Sequence, residues 1–135
     1  MLRFRQPRCV LVYALAPEGM GAAEANHRFN DFVADKSLPL VLFHDHFIGQ
    51  AGGLAIFFVG DAAERDALVN NSNALDDWQV HMHPLIFARS PAAFDEQIAF
   101  TLRAYRDANW EQLQQEERPT YGDPRREAET AEEDD

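Results

Sequence analysis

Residues 40–59, LVLFHDHFIGQAGGLAIFFV, contain two apolar runs that are separated by a glycine-rich segment at residues 49–53. Short runs rich in Phe, Ile and Val and bounded by glycine are typical of β-strands. We therefore predict strands over residues 40–48 and 54–59, joined as a hairpin. This hairpin decides the fold, because the segments on either side of it each contain one further strand and one helix.

The flanking segments extend this pattern in both directions. Before the hairpin we predict a strand over residues 9–15 and then an amphipathic helix over 22–34. After the hairpin we predict a helix over 61–70 that begins with a capping box, a strand over 78–88, and a helix over 90–114 that begins with Ser-Pro. The order β-α-β-β-α-β plus a C-terminal helix predicts an α+β protein of the ferredoxin-like type, with a four-stranded antiparallel sheet.

The predicted strands are apolar on both faces, whereas the strands of an antiparallel sheet with one solvent-exposed face alternate apolar and polar residues. In the second strand, strict alternation puts these residues on the histidine face: Leu40, Leu42 and Ile48. It puts these on the other face: Val41, Phe43 and Phe47. Helices can cover one face of the sheet, and a second copy of the same sheet is the simplest cover for the other.

Four of the five histidines form two His-x-His pairs, His44 with His46 and His81 with His83. Residues i and i+2 of a strand project from one face, so each pair presents two imidazoles side by side. Neutral imidazole is a common metal ligand and titrates near neutral pH. We predict these four histidines as catalytic acid–base groups or metal ligands; hydrogen-bonded packing is the alternative for each of them.

Composition limits the classes of function. The chain has 135 residues, enough for one core, and a formal net charge of −11, which argues against nucleic-acid binding. Its single cysteine fits a reducing compartment. An apolar run behind Arg3, Arg5 and Arg8 loosely resembles a secretion signal, but it alternates like a strand. We expect a cytoplasmic protein with no membrane span, comprising an N-terminal arm (1–8), one domain (9–114) and an acidic, flexible tail (115–135).

Over residues 9–114, the element order and the two-sided strands resemble the dimeric α+β-barrel superfamily. The resemblance implies a homodimer in which two ferredoxin-like subunits press their sheets together into a barrel. Members of this superfamily include monooxygenases, isomerases, dehydratases, haem-binding enzymes and stress-responsive proteins. The haem-binding relatives take a ligand histidine from the C-terminal helical region, and residues 91–114 contain none. Haem is therefore not expected.

The resemblance also implies how the histidine pairs are placed. The second and fourth strands lie at opposite edges of one sheet, but the barrel dimer brings the fourth strand of one subunit near the second strand of its partner. The two pairs would then form one site for a single divalent transition metal, or an acid–base site without metal. We predict that these aromatic residues contribute to the wall of the enclosed cavity: Tyr13, Phe43, Phe47 and Trp78.

Two functions follow as expectations. The first is a small homodimeric enzyme, oxygenase- or isomerase-like by resemblance, that acts on a small, largely apolar or aromatic molecule. The second is a non-catalytic ligand-binding or stress-related dimer, in which the same histidines fill and polarise the interface.

Overall fold

The computed structural model describes residues 6–70 and 73–116. The elements are β1 (Arg8–Leu15), α1 (Ala22–Ala34), β2 (Leu40–His46), β3 (Gly52–Val59), α2 (Ala62–Val69), a short 3₁₀ turn (Asn73–Leu75), β4 (Gln79–Pro84), α3 (Pro91–Arg106) and α4 (Trp110–Glu116). The predicted α+β class and element order are confirmed. Residues 1–5 of the expected arm and 117–135 of the expected tail lie outside the described residues.

The four strands form one antiparallel sheet in the order β2-β3-β1-β4. This order is compatible with the ferredoxin-like fold, in which both helical crossovers are right-handed. The order also places β2 and β4 at opposite edges, as expected. The two central strands, β1 and β3, pair along their whole length from Arg8↔Val59 to Leu15↔Gly52.

One face of the sheet, which we call the helix face, carries the hydrophobic core. Alternate residues of the two central strands are buried there: Val10, Val12, Ala14, Ala55, Phe57 and Val59. Helix α1 covers them with Phe29 and Phe32, and the rings of Phe32 and Phe57 are 5.4 Å apart. Each such aromatic side chain contributes about 1.5–3 kcal/mol by leaving water.

The opposite face, which we call the open face, is apolar; Cys9, which pairs with Phe58 at one end of it, is fully buried, but the other side chains that the central strands place on this face are not. The central strands contribute these residues to it, all of them only half-buried: Leu11, Tyr13, Leu15, Leu54, Ile56 and Phe58. His81 and His83 of β4 join them by pairing with Tyr13 and Leu11, and Phe43 of β2 joins them by pairing with Ile56.

A β-bulge in β2 corrects the alternation expected from the sequence. Val41 pairs with Phe57 and Phe43 pairs with Ile56, so Leu42 is the extra residue of the bulge. The bulge shifts the alternation by one residue, which puts Val41 on the helix face and Phe43 on the open face. It also means that Leu40 and Phe43 share a face although they are three residues apart.

The second helix begins at the predicted capping box, although the Glu64 side chain bonds to Gly60 instead of to the N-cap residue Asp61. Asp61 Oδ1 accepts the backbone N–H of Glu64 at 2.8 Å, and Glu64 Oε1 accepts the backbone N–H of Gly60 at 2.7 Å. These bonds satisfy backbone donors at the start of α2, which then buries Leu68 in the core.

The fourth strand is shorter than predicted, since it ends at Pro84 instead of continuing to Ala88. Proline has no backbone N–H to continue the ladder. Leu85 N–H still donates to Cys9 O of β1 at 2.9 Å; the chain then loops out and returns where Cys9 N–H donates to Ala88 O at 3.2 Å. The loop leaves Ile86 and Phe87 at 73% and 69% exposure.

The predicted C-terminal helix is two helices. Ser90 caps α3 through its hydroxyl, as predicted, but Asp107 adopts a left-handed conformation (φ 51°) that ends the helix. Asn109 then caps α4, and the indole N–H of Trp110 donates to Asp95 on α3 at 3.1 Å. Among the helices of residues 6–70 and 73–116, none is long and apolar enough to cross a membrane.

Candidate functional site

The two histidine pairs lie on opposite faces of the sheet. His44 and His46 pair with Ala55 and Gly53, which places them on the helix face at one edge. His81 and His83 pair with Tyr13 and Leu11, which places them on the open face at the other edge.

The pair on the helix face converges on one residue of α1. The Nε2 atoms of His44 and His46 lie 3.2 and 3.1 Å from the same oxygen, Asn30 Oδ1. The two imidazole rings are perpendicular, with centroids 5.6 Å apart, and the ring of Phe29 packs edge-on against His46 at 5.9 Å. Because an amide oxygen only accepts, an imidazole hydrogen-bonds to Asn30 Oδ1 in the tautomer that carries its proton on Nε2, and the other tautomer leaves the Nε2 lone pair available to a metal ion.

Asn30 is a residue of this cluster that the sequence reasoning missed. The sequence shows only that Asn30 directly follows the core residue Phe29 and lies one helical turn after Asn26. A sequence pattern does not show which strand a helix crosses, so the contact with β2 could not be inferred.

The pair on the open face forms an aromatic stack with Tyr13. The phenol ring of Tyr13 lies almost parallel to both imidazoles, with centroids 4.6 Å from His81 and 6.1 Å from His83. Both histidines are exposed and Tyr13 is half-buried. The stack places three groups that can donate and accept protons side by side at the margin of the apolar open face.

The four residues predicted to line a ligand cavity do not come together. Tyr13 and Phe43 share the open face, and Phe43 is 47% exposed. Phe47 lies beyond the end of β2, where its backbone N–H donates to Gly52 O and closes the hairpin turn. Trp78 belongs to the helix-face core, stacked on Phe29 at 6.3 Å.

A shared four-histidine metal site does not follow from this arrangement. Within residues 6–70 and 73–116, no group of three or more His, Cys, Asp and Glu side chains is close enough to hold a metal ion. If two copies press their open faces together, His44 and His46 stay on the outer side of the sheets. Face-to-face packing therefore keeps this pair apart from His81 and His83 of the partner.

An apolar groove of about 570 Å³ lies between the loop after β4 and the two C-terminal helices. Its lining is almost entirely apolar: Leu85, Ile86, Phe87, Ala88, Phe94, Ile98, Leu102, Trp110 and Leu113, with Gln97 and Thr101 as the polar members. Phe94, Ile98 and Leu102 recur at helical spacing along α3 and form one apolar stripe. The helix contains no buried residue, and this stripe lines the groove.

No family model, no curated protein and no solved structure matches this chain. The resemblance to dimeric α+β-barrel proteins therefore depends on the element order, the sheet order and the two apolar faces.

Proposed function

We propose that the protein is a homodimer that encloses a small, largely apolar or aromatic molecule between the open faces of two sheets. The observation that carries this proposal is the open face itself, where six residues of the two central strands are apolar or aromatic and none is buried. Apolar surface on both central strands is the kind of patch that marks an interface or a ligand site. A second copy covers it by two-fold symmetry, as in the barrels that the fold resembles.

The surface of the C-terminal segment supports the same proposal. Ile86 and Phe87 are mostly exposed, and Phe100 and Tyr105 of α3 are 43% and 73% exposed. A single chain leaves this apolar surface in water in addition to the open face. Dimer formation would remove part of both surfaces from water, at about 25 cal/mol for each Å² of apolar surface.

The polar groups of the proposed chamber are the Tyr13, His81 and His83 side chains. The stack places their proton-transferring atoms beside the apolar wall formed by residues such as Leu11 and Ile56. In an enclosed chamber these groups would contact the ligand with little competing water, which suits general acid–base catalysis. By the resemblance, the enzyme would be of the oxygenase or isomerase type.

The alternative is a non-catalytic ligand-binding or stress-related dimer with the same chamber. The exposure of His81 and His83 is compatible with it, because a histidine at an interface can supply a hydrogen bond without transferring protons. A conversion assay separates the two functions. In an enzyme, a double His81→Gln/His83→Gln variant keeps ligand binding and loses turnover; in a binding protein, the wild type returns every ligand unchanged.

The first experiment measures dimer mass and binding of the neutral aromatic fluorophore pyrene in three proteins. They are the wild type, Ile56→Lys on the open face and Val69→Lys as the matched control on α2, where Val69 is 41% exposed. Burial of Ile56 is worth about 1.5–3 kcal/mol and counts twice in a symmetric dimer. The substitution therefore raises the dimer dissociation constant by about 10²–10⁴-fold.

We expect the wild type and Val69→Lys to be dimers that bind pyrene, and Ile56→Lys to be a monomer with weaker binding. A dimer that survives Ile56→Lys would place the interface elsewhere. Equal pyrene binding by the monomeric variant would move the ligand site away from the open face, with the groove beside α3 as the next candidate.

A further inference from the structure

We propose that His44, His46 and Asn30 form a binding site for one divalent transition-metal ion on the helix face. This site lies outside the proposed chamber and needs no second copy of the chain. The site gives a role to His44 and His46, which lie on the face of the sheet opposite the proposed chamber.

The distances fit a metal site. The two Nε2 atoms lie 3.2 and 3.1 Å from Asn30 Oδ1. Zinc binds imidazole nitrogen and side-chain oxygen at about 2.0–2.2 Å, so two ligand atoms on one ion are about 3.0–3.4 Å apart for octahedral to tetrahedral angles. The three atoms already have this spacing along two of the three edges. An ion can bind the two Nε2 lone pairs once each imidazole carries its proton on Nδ1, and the ion then takes the place of the two hydrogen bonds to Asn30.

The supporting structure holds the three groups in place before a metal arrives. The pairing of His46 with Gly53 fixes the end of β2 against β3. Gly53 has no Cβ, which allows the ring of Phe29 to pack directly on the strand and edge-on against His46. Phe29 and Phe32 are fully buried, so they anchor α1 and hold Asn30 over the histidine pair. Such preorganisation lowers the cost of binding.

The ligand types indicate which ion the site selects. Two imidazole nitrogens favour Cu²⁺, Ni²⁺ and Zn²⁺ over Mg²⁺ and Ca²⁺, which prefer oxygen, and Cu²⁺ binds most tightly in this series. Asn30 is exposed and His44 is half-buried, so water can reach the site and complete the coordination shell. The net charge of −11 also favours cations. With three protein ligands, the site binds more weakly than a closed four-ligand structural zinc site.

The alternative is that both histidines only hydrogen-bond to Asn30. The variants separate the two. His44→Gln and His46→Gln keep a hydrogen-bond donor toward Asn30 but lose the imidazole ligand. Asn30→Asp keeps the shape of the side chain and adds a carboxylate, which is a stronger metal ligand than an amide oxygen.

The test is calorimetric titration of the tag-free full chain with ZnCl₂ and CuCl₂, together with electron paramagnetic resonance of the Cu²⁺ complex. We expect one ion per chain, two imidazole nitrogens on Cu²⁺, and affinity that falls by at least about tenfold in His44→Gln and in His46→Gln, since even loss of an outer-shell partner costs that much. Asn30→Asp should tighten binding. The double variant His81→Gln/His83→Gln and the variant His27→Gln are matched controls that should bind like the wild type.

Three results would overturn the proposal. The first is that the wild type binds neither Zn²⁺ nor Cu²⁺ with a dissociation constant below about 1 mM. The second is binding that survives loss of His44 or His46. The third is binding that disappears with the open-face pair or with His27, which forms a separate contact with Asp31 at 3.8 Å on α1. None of these results depends on whether the chain dimerises, so failure here leaves the proposed chamber untouched.

Discussion

Replacement of Gly53 by alanine tests how closely α1 packs on the hairpin. A Cβ at position 53 would lie 2.7 Å from the backbone oxygen of Asp45 and 2.9 Å from Cδ2 of Phe29. Both distances are shorter than a normal carbon contact, and the Phe29 ring is fully buried and cannot swing into water. Alanine therefore forces either the ring or the β2–β3 ladder to move.

The expected cost is about 1–3 kcal/mol of unfolding free energy, the usual price of overpacking a core. With a urea m-value of about 1–3 kcal/mol per molar, the unfolding midpoint falls by roughly 1 M. Circular dichroism in a urea titration measures this directly. Because Gly53 pairs with His46, the substitution should also weaken metal binding at the His44, His46 and Asn30 site.

A double-mutant cycle with Phe29→Leu is the control. Leucine vacates the ring positions nearest to residue 53, so Gly53→Ala should cost about 0.5–3 kcal/mol less in that background. Unfolding free energy within about 0.5 kcal/mol of the wild type would refute the packing argument, because only substitutions away from such contacts are this mild. An equal cost in both backgrounds would assign the strain to the Asp45 carbonyl instead of the Phe29 ring.

Three further predictions concern a helix cap and two titrating groups. Ser90→Ala removes the α3 cap, worth about 0.5–2 kcal/mol, so amide hydrogen exchange in the first turns of α3 should accelerate roughly 2- to 30-fold; unchanged exchange would contradict the cap. Burial raises the pKa of the Cys9 thiol above its ordinary value of 9.0. As pH rises above 9.0 the unfolded chain therefore loses the thiol proton before the folded chain does, and the free energy of unfolding falls. Urea unfolding between about pH 7 and pH 10 should show a larger loss for the wild type than for Cys9→Ala, and identical profiles would contradict it. Hydrogen bonds from the Ser37 hydroxyl and backbone N–H lower the pKa of Asp35, and their contribution is lost as pH falls through that lowered value. In Ser37→Ala an NMR titration should show the Asp35 pKa nearer to 3.8, and no change would refute this cause.

Local signals in the sequence predict much of the fold. The apolar stripe of α1, the capping box at Asp61 and the Ser90-Pro91 start of α3 each act within one or two turns of helix, and the structure confirms all three. The element order then limits the sheet to few topologies, because crossovers are right-handed. The order β2-β3-β1-β4 follows from these steps.

The candidate site depends on features that no local pattern shows. The bulge at Leu42 shifts the alternation of β2, which decides that His44 faces α1 together with Val41. The left-handed Asp107 divides the last helix, and the groove beside α3 results from that division and from the loop after Pro84. Each of these depends on which strands and helices meet in three dimensions, so the histidine pairs could be found in the sequence but not assigned to faces.

The central claim is that a second copy of the chain covers the open face. Sedimentation equilibrium of the tag-free full chain at about 10–100 µM measures this most directly, because it gives mass without a reference shape. We expect a species with twice the 15.3 kDa mass of the chain across this range. A mass of 15.3 kDa at every concentration would contradict it, since the apolar residues around Tyr13 would then remain in water.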